Sequence, residues 1–243
     1  MGRFAESRDL LAAINLDALT PASEAICNPR LLIPAQLAWA LALLGETESA
    51  VEHGQRALTW AQSQPGLLQF TTAHGFMAQL HCFLDAPEAT LAYTRQPSDM
   101  ATDMATDMAT LLTYWAHSRL GWPTDEAAAQ AALAGLRRQH PADEARAFSL
   151  YAQAQFYQSP VFALTQLDAA LDLNARFGLH HWEARLLHLK SQSLDAMGQL
   201  TEATRFQRLA IDTAQRQGAW LFLNDIAGIE SRTQAGIHME NAA

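Results

Sequence analysis

The sequence predicts an all-α fold, a solenoid of antiparallel helical hairpins, and three observations carry the prediction. A spacing of small residues recurs along the 243 residues. Glycine and proline punctuate it where helices would end and begin, and no stretch shows the apolar/polar alternation of a strand.

The recurring unit is a Gly or polar residue, four spacers, a small residue, and an alanine seven further on. Gly45, Ala50 and Ala57 fit it in "LLGETESAVEHGQRAL", and Gly198, Ala203 and Ala210 in "AMGQLTEATRFQRLAI". Weaker copies are Asp85 with Ala89 and Gly121 with Ala127 and Ala134 (each one residue out of phase), Gln158 with Ala163 and Ala170, and Gly2 with Ser7. Anchors at 2, 45, 85, 121, 158 and 198 are spaced by 36 to 43 residues. Such a period is the mark of stacked supersecondary units. A glycine supplies the left-handed residue that ends one helix, and small residues let the next pack close. Each hairpin buries only part of its apolar surface and needs neighbours to cover the rest.

Helices are expected at about 29–44, 46–63, 66–84, 86–96, 98–120, 123–139, 141–157, 160–177, 179–197, 200–217 and 219–234. Pro65, Pro123, Pro141 and Pro160 each stand where a helix would begin, a position where the missing N–H had no partner. The run "LLIPAQLAWALALLG" is shorter than the ~20 residues of a membrane span and reads as a buried helix. The chain is expected to be one domain over 1–243, about five full hairpins with partial ones at each end.

These residues resemble the tetratricopeptide (TPR) family in a degenerate, long-helix form, and the resemblance covers nearly the whole chain. It implies a TPR-like right-handed superhelix. More narrowly, "AWALALLGETESAVEHGQRAL" and "GLHHWEARLLHLKSQSLDAMGQLTEA", with "GAWLF" after them, resemble the C-terminal TPR arms of large bacterial transcriptional regulators, arms also attached to some adenylate cyclases. That implies a cytoplasmic recognition arm for a protein segment or small effector. The regulators' GxxxxGK[ST] phosphate loop and basic recognition helix are both missing, so neither NTP hydrolysis nor DNA binding is carried over. "MGRFAES" matches the turn inside a hairpin, so the chain is expected to begin halfway through a repeat, as a segment of a longer regulator or the product of an internal start.

Composition narrows the classes further. Hydrophobic residues make up 49% and charged residues 17%, enough for a core. The net charge is -9 with Lys190 the only lysine, which argues against direct nucleic-acid binding. The start "MGRFAESRDLL" has no apolar h-region after a basic n-region and is not expected to act as a signal peptide. Cys27 and Cys82 lie outside any CxxC spacing and read as buried reduced thiols.

No cofactor is implied. His74, His81, His180, His181 and His188 lack HxxxH or HExxH spacing and do not suggest a metal site. The acid pairs Asp125/Glu126 and Asp143/Glu144 fall in first turns, where they complement the helix dipole. There is no nucleophile elbow, and no enzyme is expected. The resemblance places Trp39, Gln79, Trp115, Arg119, Gln155, Arg185, His188 and Gln192 on a concave groove, a surface suited to a peptide or helix because Trp and Arg dominate binding hot spots. The competing reading makes Trp39 and Trp115 inter-repeat core. The alternative function is an all-helical enzyme or a small-molecule-binding solenoid with a closed pocket.

The tandem tetrapeptide "DMATDMATDMAT" (99–110) is expected to extend the helix from about Ser98 to Leu120. A four-residue period drifts ~40° per copy. Asp99, Asp103 and Asp107 then form a solvated acidic stripe beside a packing stripe of Met100, Met104 and Met108.

Overall fold

A computed structural model of the chain describes residues 2–18, 28–64, 67–95, 103–139 and 141–226. Among these residues every regular element is helical. The order is α1 (Phe4–Ala12), a 3₁₀ turn (Leu16–Ala18), α2 (Pro29–Leu43), α3 (Thr47–Gln62), α4 (Leu67–Phe83), α5 (Pro87–Thr94), α6 (Asp103–Leu120), α7 (Glu126–Gln139), α8 (Pro141–Gln158), α9 (Leu164–Phe177), α10 (Glu183–Ala196) and α11 (Leu200–Gln217). Residues 220–226 are helical as well. No helix among the described residues is long and apolar enough to cross a membrane.

Four of the six repeat anchors are left-handed helix ends: Gly45 (φ 81°), Asp85 (φ 53°), Gly121 (φ 68°) and Gly198 (φ 74°) close α2, α4, α6 and α10. At Gly45 the chain makes a Schellman stop. The Glu46 N–H donates to the Leu41 carbonyl at 2.9 Å and the Gly45 N–H to that of Ala42 at 2.9 Å, satisfying carbonyls the helix leaves open. Gln158 ends α8 without a left-handed residue, and a turn over 160–162 follows.

Two prolines do not open helices. Pro123 precedes α7 by three residues, and the true cap is Asp125, whose carboxylate accepts from the Ala128 N–H at 3.0 Å. A side-chain acceptor for an orphan N–H outweighs the preset φ of proline. Pro160 lies in the turn before α9, which starts at Leu164. Pro141 does open α8. Cys27, Pro65 and residues 96–102 lie outside the described residues, as does 227–234 of the last expected helix.

The packing pattern has two layers. The even-numbered helices α2, α4, α6, α8 and α10 each contact the next even one as well as their chain neighbours, whereas the odd-numbered helices pack chiefly against the helices that flank them in sequence. Burial follows. Nine of the 15 residues of α2 are buried against five of the 16 of α3, and nine of the 14 of α10 against five of the 18 of α11. The even helices are therefore the inner layer.

The stack also meets itself across the inner face. Phe83 of α4 stacks on Trp182, just before α10, with ring centroids 4.4 Å apart, and Trp182 stacks on Phe222 at 6.0 Å. The Arg146 guanidinium of α8 lies 5.5 Å from the Trp39 ring of α2. Gly45 lies against Trp220, and Gly218 against Leu44. One buried cluster accordingly runs from Phe4 through Trp115 and Trp182 to Phe222.

The tetrapeptide is helical in its second and third copies, since α6 runs unbroken from Asp103; the first copy and the side chains of Asp103 and Met104 lie outside the described residues. Met108 packs on the main core, as its stripe requires. Asp107 does not point freely into solvent. It is half-buried and seated on Gly135, where α7 crosses α6 and only a residue without Cβ leaves room for it. An interior Gly→Ala change in a helix is worth ~1 kcal/mol. Here the new methyl group would land on the Asp107 carboxylate. We expect Gly135→Ala alone to give no stabilisation in urea unfolding, and the same change to recover a gain of ~1 kcal/mol in an Asp107→Ala background.

Candidate functional site

Four of the eight residues expected on the groove line one cavity of about 430 Å³: Arg119 from α6, and Arg185, His188 and Gln192 from α10. Asp85, Tyr157 and the helical stretch over 220–226 complete its polar wall. The i, i+3, i+7 spacing of Arg185, His188 and Gln192 puts them on one helix face, and the inner position of α6 and α10 aims the faces together.

Arg185 is the centre of this wall. It is 93% removed from solvent, with 7% exposure, yet charged. Its Nη1 donates to Asp225 at 3.0 Å, and its Nη2 donates to the Tyr157 hydroxyl at 2.7 Å and to Asp85 at 3.3 Å. Burial disfavours its charge, but Tyr157, Asp85 and Asp225 outweigh burial and hold its pKa above the ordinary value. Its Nε–H, also buried, has no hydrogen-bond partner among the described residues. Arg119 grips Asp85 with two nitrogens, Nε at 3.0 Å and Nη2 at 2.7 Å, and lies 5.0 Å from the Tyr157 ring. Those bonds to Asp85 raise the Arg119 pKa. Burial pushes the Tyr157 phenol up, so it keeps its proton. His188 places Nδ1 2.8 Å from the Gln207 amide oxygen and Nε2 3.1 Å from Gln192 Nε2; Nδ1 is then the donor and Nε2 the acceptor.

The other four residues lie elsewhere. Trp115 is fully buried and Gln79 is 2% exposed. Both are core, because the even helices close over them. Trp39 is half-buried, donates from Nε1 to the Phe76 carbonyl at 3.2 Å, and packs on the Phe76 ring at 4.7 Å. Gln155 belongs to a second constellation around Glu126. There the Glu126 carboxylate accepts from the Tyr114 and Tyr151 hydroxyls, from Gln155 at 2.7 Å and from Gln130 at 2.9 Å. Burial alone would raise the Glu126 pKa; the bonds from Tyr114, Tyr151, Gln130 and Gln155 win and lower it. This carboxylate ties α6, α7 and α8 together and is saturated with donors.

A depressed folded-state pKa contributes stability that is present above the unfolded value, here about 4.5, and is lost as pH falls through the folded one. We expect Glu126→Gln to cost about 1.5–3 kcal/mol at neutral pH, the range for hydrogen bonds to a charged group. The gap to wild type should narrow below about pH 4.5 in urea titrations.

Among the described residues no group of three His, Cys, Asp or Glu side chains is placed to hold a metal ion. Cys82 is buried, is not in a disulfide, and has its thiol pKa pushed up by burial. No family model and no curated protein matches the chain.

Asp85, Tyr157 and Asp225 are absent from the residues expected at the site. Asp85 did carry a signal: it is an aspartate at a repeat anchor where glycine recurs. Asp tolerates a left-handed backbone better than most residues, and its side chain is then fixed at the helix end, facing the next even helix. Tyr157 and Asp225 gave no comparable signal, since each reaches the site through tertiary packing and not through a local motif.

Proposed function

We propose that the chain is a recognition module of TPR-like architecture, the sensor or interaction arm of a bacterial transcriptional or signalling regulator, working through the pocket between α6, α10 and the 220–226 helix. One observation carries the reading: Arg119, Arg185, His188 and Gln192, separated by up to 73 positions, share the wall of a single cavity. A cavity of this size sits at the lower end of the ~300–1,000 Å³ typical of ligand sites.

The filled inner face favours a small effector, or one inserted side chain, over a long peptide laid along a groove. Trp115 and Trp182, both at 0% exposure, occupy the volume that an open concave channel would need. Among the described residues the titratable side chains of the cavity wall are engaged with one another or with amides, an arrangement that favours binding over proton transfer.

The test is affinity capture with the purified chain against an Arg119→Glu variant. Arg119 is suited to reversal because its side chain is 40% exposed. Loss of the wild-type partner or effector is the expected result. An unchanged bound set would remove the pocket from the reading.

A further inference from the structure

The charges on the cavity wall balance: Arg119 and Arg185 against Asp85 and Asp225. The two carboxylates are not held alike. Asp85 is fixed, being the left-handed end of α4 and gripped twice by Arg119. Asp225 has a single ion pair, the 3.0 Å bond from Arg185 Nη1, and 49% of its side chain is exposed. Rotating Asp225 outward would leave the buried Arg185 guanidinium with Nη1 unoccupied, in addition to the unpartnered Nε–H on its other edge. Phe156, Leu189 and Ile226 supply an apolar patch on the same wall.

Resting on the pocket reading above, we infer that the ligand is a free α-amino acid with an apolar side chain. Its carboxylate takes the place of Asp225 on Arg185, its ammonium pairs with the Asp225 carboxylate so released, and its side chain lies on Phe156, Leu189 and Ile226. Among charged ligands, charge decides the class. A simple carboxylic acid would leave the site with one unbalanced negative charge and an amine with one positive. A zwitterion keeps it neutral, and an uncompensated charge beside a buried ion pair is costly. Asp225 is then an internal stand-in for the ligand carboxylate.

The experiment is calorimetric titration of the full chain with L-leucine, 4-methylpentanoate, which lacks the ammonium, and isopentylamine, which lacks the carboxylate; L-methionine and L-phenylalanine serve as further apolar amino acids. At least one amino acid is expected to bind, with each single-charge analogue weaker by about tenfold or more, equivalent to ~1.4 kcal/mol. In Asp225→Asn the preference should cross over: amino-acid binding falls by about tenfold, and 4-methylpentanoate binding rises because the site now balances a bare carboxylate. Circular dichroism of the variant secures that it folds. Equal binding of L-leucine and 4-methylpentanoate in the wild type, or no crossover in Asp225→Asn, overturns the zwitterion assignment. No binding of any amino acid at millimolar concentration removes it altogether. Capture that still depends on Arg119 would in that case leave the pocket standing without this ligand.

Discussion

Replacing Arg185 by methionine should destabilise the chain by about 3–5 kcal/mol, the range for breaking a buried ion pair by deleting one partner. Three groups each lose one donor: Asp225, Asp85 and the Tyr157 hydroxyl. Asp85 keeps Arg119 and Asp225 is half in water, which places the effect toward the lower end of that range. Arg185→Lys should recover little of the loss. An ammonium is a compact point charge, whereas the planar fork reaches partners on three other elements at once. Urea unfolding of both variants, with the Arg185/Asp225 double-mutant cycle, measures this; a lysine variant as stable as wild type would contradict it.

The second large effect is expected at Trp182. Trp182→Ala should cost about 3–5 kcal/mol, since a fully buried indole leaves a cavity that neighbours fill only in part. Trp182→Phe should cost much less. The indole Nε1–H is buried without a hydrogen-bond partner among the described residues, a state that costs ~1–3 kcal/mol. Phenylalanine keeps an aromatic face for the stacks on Phe83 and Phe222 and removes that orphan donor. The Ala variant should also loosen both ends of the chain, because Trp182 sits between α4 and the 220–226 helix. Hydrogen exchange is the readout: amides in α2 and α4 should lose protection along with those in α10.

Most of the helix plan is legible in the sequence because its signals are local. Gly45, Gly121 and Gly198 end helices through their own backbone freedom, and the small-residue spacing marks hairpins without reference to the rest of the chain. The misread starts, Pro123 and Pro160, are places where a proline rule competes with a stronger capping group or a turn. The candidate site is half legible. Arg185, His188 and Gln192 come together because they lie three and four residues apart on one helix, and Arg119 joins them through the repeat phase. That the face between them is filled depends on contacts between residues far apart in sequence, Phe83 with Trp182 and Arg146 with Trp39. No short stretch of sequence states such long-range contacts. Trp115 would line a groove if the inner face were open; with that face filled it is core.

The contacts of Gly45 with Trp220 and of Gly218 with Leu44 have a consequence for how such a protein can change size. An open stack of repeats can gain or lose a unit at little cost, because each unit touches only its neighbours. Here an added hairpin would push Trp220 away from Gly45, part Phe83 from Trp182, and carry Arg185 out of reach of Asp85. The number of hairpins between these meeting points is therefore fixed as the number of staves in a closed barrel is fixed. New length enters within a hairpin instead, and the repeated tetrapeptide at the start of α6 is placed where that is possible.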